Sequence, residues 1–282
     1  MESQEKGAKR HMNKEKNLTV ILGVIVLVFV LNFFVFRLAY LKEPLFLTHA
    51  YTFAAEESSD VGFYYITNDD EKRQPLEITC PELGEDEVFE VIDTEQWQGH
   101  GIYTWNKMRV DFDVPDRVGD LSNVILTQMQ VKWSDGTETI VDIGEVCFLG
   151  KEGKRVLTWT QMGFGDTNAS YVMEVPEELT VTGIHMPMEN RFSDLLTVKD
   201  QEGQPLTFPK TYQKGDTLSV DTDLLLTEKD NRAHMVIHVA PVLEMETTEG
   251  EKVYAYLPNS MHYTPEMNIL EIYRILHMKG EI

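Results

Sequence analysis

Hydrophobic and polar positions divide the chain into one long apolar run followed by many short alternating segments. Residues 18–36 read LTVILGVIVLVFVLNFFVF and contain no charged side chain. A helix of this length reaches ~29 Å at ~1.5 Å per residue, which is close to the hydrocarbon thickness of a bilayer. The run exceeds the ~7–15 apolar residues of a cleaved secretory signal, and no small-residue cleavage site follows it closely. The pattern therefore predicts an uncleaved transmembrane helix over 18–36, with a buried core helix as the alternative.

The charges on the two sides of this run predict its orientation. Five Lys and Arg residues precede it, whereas only Arg37 and Lys42 follow it closely. By the positive-inside rule, residues 1–17 form a cytoplasmic tail and the C-terminal part of the chain is extracytoplasmic. A short basic tail, an uncleaved signal-anchor and an ectodomain with only two cysteines are typical of single-pass proteins of the bacterial cell membrane and cell surface.

Beyond the anchor, alternation of apolar and polar residues predicts β-strands. The segment Asn123–Trp133 places Met129, Val131 and Trp133 on one face and polar residues on the other. The turn Ser134–Thr137 contains Asp-Gly, a strong hairpin signal. Similar short segments recur up to residue 257, with turn residues between them. We therefore predict a mainly β ectodomain built as an antiparallel β-sandwich.

A weak internal repeat bears on the number of modules. Strand–turn–strand segments with an acidic residue and a glycine in the turn occur around Gly136 and Gly250. Their interval suits one β-sandwich of ~100 residues. We predict two modules, 37–150 and 151–282. One larger sandwich is the alternative, because the turn Lys151–Lys154 could itself lie within a module.

The apolar period changes from two to that of a helix near the C-terminus. One face follows the i, i+3, i+4, i+7 spacing of an amphipathic helix: Ile269, Ile272, Tyr273 and Leu276. Thr264 is a suitable N-cap, Pro265 suits the first helical position, and Gly280 can end the helix. The pattern predicts a helix over 265–279, packed on its own sandwich or, alternatively, docked onto another protein.

Charge is distributed unevenly along the chain. Seven of the 25 Lys and Arg residues and three of the 47 Asp and Glu residues lie in residues 1–42, so residues 43–282 carry a net charge of −26. Such a surface repels the phosphates of nucleic acids. We therefore exclude nucleic acid as a partner. The partners we expect are the lipid bilayer, through residues 18–36, and a membrane or envelope protein.

Candidate metal ligands are present but lack a supporting motif. His234 and His238 have the i, i+4 spacing that chelates a metal on a helix, but their neighbours favour a strand, on which the imidazoles would lie ~13 Å apart. Asp111 and Asp113 open a segment with calcium-type ligands, yet it lacks the Gly and the bidentate Glu of an EF-hand. Ca²⁺ is thus compatible with the composition but not supported by a motif. We predict no metal site and no cofactor.

The sequence carries no signature of a nucleophilic, zinc-dependent or phosphate-binding enzyme. Carboxylates are abundant, but the two carboxylates of a glycosidase are brought together by tertiary structure and not by spacing along the chain. We therefore predict no catalytic residue. The leading hypothesis is a non-catalytic, membrane-anchored extracytoplasmic module for binding or assembly. The alternative is a membrane-anchored envelope glycan hydrolase that uses acidic residues.

Two cysteines lie in the predicted extracytoplasmic part of the chain. Cys80 and Cys147 are the only cysteines, and an oxidising exterior permits a disulfide between them. The alternative is two buried thiols, since Cys147 lies in a predicted strand where a small thiol packs well.

Asn32 lies within the predicted transmembrane helix. Its amide either pairs with another membrane span through hydrogen bonds or reaches the membrane interface.

Overall fold

The structure is a computed structural model, and it confirms that the fold is mainly β. Strands account for 51% of the described residues and helices for 17%, and the strands form several sheets in which most neighbouring pairs are antiparallel. The residues that it describes are 20–33, 36–37, 39–54, 60–84, 87–112, 124–150, 154–155, 157–165, 167–258, 260–266 and 268–281.

The chain divides into two compact units. One comprises residues 43–275 and contains all the described strands. The other comprises residues 1–42 and 276–282, and within it helix α1 spans 20–33. Among the described residues, no helix has both the length and the apolar character needed to cross a membrane. Residues 18–19 and 34–35 of the predicted span lie outside the described residues.

Nineteen strands are described, numbered in chain order. They are β1 (Leu45–Phe46), β2 (His49–Ala54), β3 (Asp60–Asn68), β4 (Pro75–Thr79), β5 (Val88–His100), β6 (Tyr103–Asp111), β7 (Ile125–Trp133), β8 (Glu138–Leu149), β9 (Lys154–Arg155), β10 (Thr158–Phe164), β11 (Asn168–Glu174), β12 (Leu179–His185), β13 (Leu196–Lys199), β14 (Lys210–Tyr212), β15 (Thr217–Leu224), β16 (Val236–Val239), β17 (Val242–Thr247), β18 (Lys252–Tyr256) and β19 (Met261–Tyr263).

The largest sheet has the order β1-β3-β6-β5-β4-β7-β8-β2-β16-β19. Its first eight strands form a closed sheet, because β1 and β2 are successive parts of one segment separated only by Leu47 and Thr48. The first part pairs antiparallel with β3, and the second part pairs parallel with β8. One short segment of the chain thus joins both sides of the sheet.

Phenylalanine rings pack together in the core of this sheet. The ring of Phe112 contacts those of Phe89, Phe148 and Phe63, with centroid distances of 4.8, 5.4 and 6.3 Å. All four side chains are buried. Burying a ring of this size contributes about 1.5–3 kcal/mol, so this cluster is a principal source of stability for the closed sheet.

The strand and hairpin predicted around Gly136 are confirmed. In β7, Met129, Val131 and Trp133 are buried, whereas Gln128 and Lys132 are exposed. The turn that follows joins β7 to β8, and Gly136 adopts a positive φ of 83° within it. This conformation favours glycine because it has no Cβ. The second predicted hairpin, around Gly250, likewise joins β17 to β18.

Two smaller sheets share a second core. Their strand orders are β10-β11-β15-β13 and β14-β12-β17-β18-β9. Tyr171 and Val220 of the first sheet belong to the same buried cluster as Leu243 and Ala255 of the second. Two sheets that share a buried core are consistent with the predicted β-sandwich.

The later part of the chain contributes to both arrangements. Strands β16 and β19 join the ten-stranded sheet, all of whose other strands lie within residues 45–149. Residues 151–153, close to the predicted module boundary, lie outside the described residues. The division into modules 37–150 and 151–282 stays a prediction.

Two further α-helices are described, α2 (Glu189–Phe192) and α3 (Ile269–Lys279). Helix α3 begins four residues after the predicted start, because the side-chain oxygen of Asn268 accepts the N–H of Glu271 at 3.0 Å and caps the helix there. Ile272 is buried as predicted, whereas Tyr273 of the same predicted face is 42% exposed, with its ring packed against that of Tyr103 in β6 at 6.1 Å. The helix therefore contacts its own chain.

Candidate functional site

Two histidines meet where β16 and β19 pair. The two strands are antiparallel, and their register places His238 directly opposite His262. On its other side β16 pairs in parallel with β2, where His238 lies opposite Tyr51. The imidazole of His238 is therefore held between two strands that are distant from it in sequence.

The two imidazoles are joined by a hydrogen bond between their Nδ1 atoms, which lie 3.2 Å apart. Since a hydrogen bond needs one donor and one acceptor, one Nδ1 carries a proton and the other does not. The rings are nearly perpendicular, at 83°. Only one hydrogen fits between the two rings. The Nδ1 that accepts the hydrogen bond therefore carries a lone pair and no proton.

Aromatic rings hold His238 in place. Its ring stacks on Phe53 with a centroid distance of 5.2 Å and an interplanar angle of 22°, and meets the edge of Tyr51 at 6.2 Å. Tyr51 is itself fixed, because its hydroxyl donates to the carbonyl of Gly62 at 2.8 Å. His238 is half-buried, whereas His262 is exposed.

Both histidines are poor bases in this environment. Burial, together with the neighbouring His262, lowers the pKa of His238 to about 4. Burial lowers the pKa of His262 as well, and the positive charge of Lys107 lowers it further. Both effects disfavour the charged imidazolium. The pair is therefore neutral at pH 7.

The ammonium of Lys107, in β6, lies over two aromatic rings. Its Nζ is 5.5 Å from the ring centroid of Tyr64 and 6.0 Å from that of Trp97, within the range of cation–π attraction. Its stem crosses Gly62, where an added Cβ would come within 2.5 Å of the lysine Cε. The missing side chain at Gly62 thus leaves the space through which Lys107 extends.

Trp97 is exposed because of an irregularity in β5. The pairing of β5 with β6 shifts between Gln96 and Gln98, so Trp97 is the extra residue of a β-bulge. Bulges redirect a side chain relative to the regular sheet. The indole N–H donates to Glu95 at 2.9 Å, and the ring meets the edge of Tyr64 at 5.7 Å. The side chain of Trp97 is 47% exposed but fixed in orientation.

We refer to Tyr64, Trp97, Lys107, His238 and His262 as the bis-histidine cluster. It presents an ordered aromatic ring, one ammonium group and two neutral imidazoles on a surface whose overall charge is negative. Chemically, such a group can stack on an apolar partner, bind an anion or coordinate a soft cation.

A second polar site lies between the end of β19 and the start of α3. It is a cleft of about 230 Å³ lined by Glu228, Ala233, His234, Tyr263, Glu266, Asn268, Leu270, Glu271 and Arg274. Glu271 is only 5% exposed, and its carboxylate contacts the Nδ1 of His234 and the guanidinium of Arg274. Burial raises the pKa of Tyr263, and the nearby carboxylates raise it further. The cleft is therefore predominantly acidic.

The two cysteines do not come together. Both are free thiols. Cys80 follows β4, which pairs with β7 at Gln130, whereas Cys147 lies on the opposite side of β7, across from Ile125. Cys80 and Cys147 are therefore separated by two interstrand spacings and by several residues along β7, a distance of about 15 Å. A disulfide requires Cα atoms within about 7 Å. The structure therefore does not contain the disulfide that the sequence permits.

Both thiols are held in their neutral form. Burial raises the pKa of the Cys80 thiol to about 12 and that of Cys147 to about 11, and a nearby glutamate adds to the effect at each. A thiol is a weak nucleophile until it loses its proton. These environments favour a packing role.

Asn32 forms a hydrogen bond within its own helix. Its side-chain amide donates to the carbonyl of Val28, one turn earlier in α1, at 2.9 Å. Pairing of Asn32 with another membrane span stays a prediction.

The candidate metal ligands from the sequence do not lie together as the spacing suggested. His234 lies in a 3-10 turn (Asn231–His234) and not on the strand with His238, so the prediction that the two share a strand face was wrong. Asp113 and the candidate calcium loop that follows it lie outside the described residues. Among the described residues, no three His, Cys, Asp or Glu side chains are placed to hold a metal ion.

Sequence reasoning missed the pairing of His238 with His262 because the residues are separated by 24 positions and are joined only by the register of β16 and β19. No sequence pattern singled out Trp97. The available signal was weak: in β5 the alternation is disturbed near Trp97, which is how a bulge shows in a sequence.

Comparison with known proteins adds no assignment. No protein-family model matches the sequence, and no curated protein matches it significantly.

Proposed function

We propose that this chain is a non-catalytic binding module, anchored in the cell membrane by residues 18–36, that contacts another membrane or envelope protein outside the cytoplasm. The observation that carries the proposal is the exposed but immobilised side chain of Trp97. Tryptophan is among the residues that contribute most to binding when buried at the centre of an interface. Because Trp97 is already fixed by Glu95 and Tyr64, little side-chain entropy is lost when a partner covers it.

The surroundings of Trp97 support the same proposal. Arg109 of β6 pairs with Asp93, four residues before Trp97 on β5, and contacts the carboxylates of Asp60 and Asp93 at 3.5 and 3.4 Å. Exposed ion pairs of this kind add little to stability. Around an aromatic centre, however, they resemble the polar rim of a protein interface. The anchor is supported by the uncharged run 18–36, in which the apolar side chains of α1 are exposed.

The test is site-specific crosslinking in cells that produce the full chain. A photo-crosslinking residue placed at the exposed Gln96 should capture one membrane or envelope protein. Trp97→Ala should abolish that product, whereas Phe164→Ala, which removes an equally exposed ring on β10 (50% exposed), should leave it unchanged. Capture that is identical in Trp97→Ala, or the absence of any specific product, would refute the proposal. Thermal unfolding of each variant confirms that it is folded.

The acidic cleft favours a second candidate, a membrane-anchored hydrolase of envelope glycans. Glu271 and Glu266 line the same cleft, and Glu271 is nearly inaccessible to solvent. Glycosidases use two such carboxylates as acid and base or nucleophile. Under this alternative, the purified chain should release reducing ends from cell-wall glycan, and Glu271→Gln should abolish the release. Glu246→Gln, at an exposed position on β17, is the matched control. If the wild-type chain releases no reducing ends, the alternative is excluded.

A further inference from the structure

We propose that His238 and His262 together bind one divalent transition-metal ion of the imidazole-preferring group, Cu²⁺, Ni²⁺ or Zn²⁺, through their Nδ1 atoms. The site is independent of the binding function proposed above. Water molecules would complete the coordination, since the described residues supply no third His, Cys, Asp or Glu ligand.

The distance between the two Nδ1 atoms carries the inference. Imidazole nitrogens lie about 2.0–2.1 Å from such an ion. Two nitrogens separated by 3.2 Å would then subtend an angle of roughly 100° at the metal, between the square-planar and tetrahedral values. The metal would lie about 1.3 Å to one side of the line that joins the two nitrogens. The rings would therefore turn slightly to direct their lone pairs at it.

The donors are also held in place before binding. The antiparallel register of β16 and β19 sets the two backbones opposite each other. The rings of Phe53 and Tyr51 then fix the plane of His238. Ligands that are already ordered lose little entropy when they bind. His262 is exposed, so the ion can arrive from solvent.

The protonation state of the pair suits coordination. Because both imidazoles are neutral at pH 7, one Nδ1 already offers a lone pair. The other Nδ1 offers one after its proton passes through water to the Nε2 of the same ring. Both rings remain neutral, so binding releases no net proton. A histidine pair that was charged at pH 7 would have to lose a proton first.

Lys107 opposes the ion and gives the proposal a second, independent test. Its ammonium is close enough to lower the pKa of His262, and the same positive charge repels a metal cation. Replacing Lys107 by methionine keeps a long apolar side chain across Gly62 but removes the charge. Lys107→Met should therefore bind the metal more tightly than the wild-type chain.

The experiment uses the full chain without an affinity tag, purified in detergent and freed of metal. Titration with Cu²⁺ at pH 7.5 is followed by calorimetry and by the nitrogen hyperfine pattern in electron paramagnetic resonance. We expect one ion bound by two nitrogens, weakened by more than about tenfold in His238→Gln and in His262→Gln. His185→Gln, at an exposed position at the end of β12, should bind as the wild type does.

A measurement on the wild-type chain covers the case in which a histidine variant fails to fold. Addition of Zn²⁺ should shift the imidazole nitrogen resonances of His238 and His262 together, with saturation at one equivalent. The proposal is overturned if no saturable binding occurs, if binding persists in both His variants, or if the shifted resonances belong to other histidines. Weaker binding in Lys107→Met than in the wild type would also contradict it.

Discussion

His49 and Gly144 lie opposite each other in the parallel pair of β2 and β8, without space for a side chain on Gly144. A Cβ at that position would overlap the backbone oxygen and nitrogen of His49. The imidazole of His49 maintains this approach. Its Nδ1 donates to the carbonyl of Ile143 at 3.1 Å, and its Nε2 accepts the N–H of Tyr64 at 2.9 Å. One buried side chain thereby joins β3 and β8, which pair with the two parts of the segment 45–54.

We expect Gly144→Ala to destabilise the protein by about 3 kcal/mol or more, since it combines a positive φ of 88° with a steric overlap. Gly136→Ala is the matched control: φ is 83° there, but nothing lies within 4 Å of an added Cβ. Only the conformational cost of about 1 kcal/mol then applies. Urea unfolding of both variants measures the difference. Equal losses would show that the close approach to His49 is unimportant.

The histidine pair should make stability depend on pH. The folded-state pKa of His238, about 4, lies below the ordinary value of 6.5, so the unfolded chain binds more protons between these values. Stability is therefore complete above pH 6.5 and decreases as the pH falls towards 4, by about 2 kcal/mol for a partly exposed group. His262 acts in the same direction. Urea unfolding at pH 7, 5.5 and 4.5 should show a smaller loss for His238→Gln than for the wild type. Parallel curves would contradict the assignment.

The two cysteines should be detected as free thiols. Unfolded under non-reducing conditions, the chain should react with two equivalents of a thiol reagent. In the native state both should react slowly, because burial raises the pKa of each thiol well above neutrality. A count of zero after unfolding would show that Cys80 and Cys147 form a disulfide, in conflict with the register of β4, β7 and β8.

The buried carboxylate of Glu271 should be structurally important. Glu271→Ala removes the partner of both His234 and Arg274, and we expect a loss of about 3 kcal/mol, typical of breaking a buried charged contact. Glu266→Ala, at an exposed position in the preceding loop, should change stability by less than about 0.5 kcal/mol. Chemical denaturation measures both. Similar effects of the two variants would mean that Glu271 is not held as described.

The sequence pattern correctly predicted those strands that have one buried and one solvent-exposed face. The strand β7 has one buried and one solvated face, so its alternation was visible, and the turn at Gly136 is specified by its own residues. By contrast, β2 reads HAYTFA and was not predicted. It has neighbours on both edges and buries the polar residues His49 and Thr52, so it shows no alternation.

The candidate site was less predictable than the fold. Trp97, Lys107, His238 and His262 come from four strands, and only pairing over long sequence distances brings them together. No local pattern encodes a register between β16 and β19 or the parallel pairing of β16 with β2. The start of α3 illustrates a smaller error of the same kind: Thr264 was the predicted cap, but Asn268 caps the helix in the structure.

The position of β2 between β8 and β16 has a consequence for biosynthesis. β2 and β8 are complete once residue 149 has emerged, but β16 is supplied only by residues 236–239. Throughout the synthesis of the intervening chain, one edge of β2 has unpaired backbone groups beside the rings of Tyr51 and Phe53. Such an edge is open to pairing with other chains. A nascent or truncated chain that ends before residue 236 is therefore the form of this protein most exposed to aggregation.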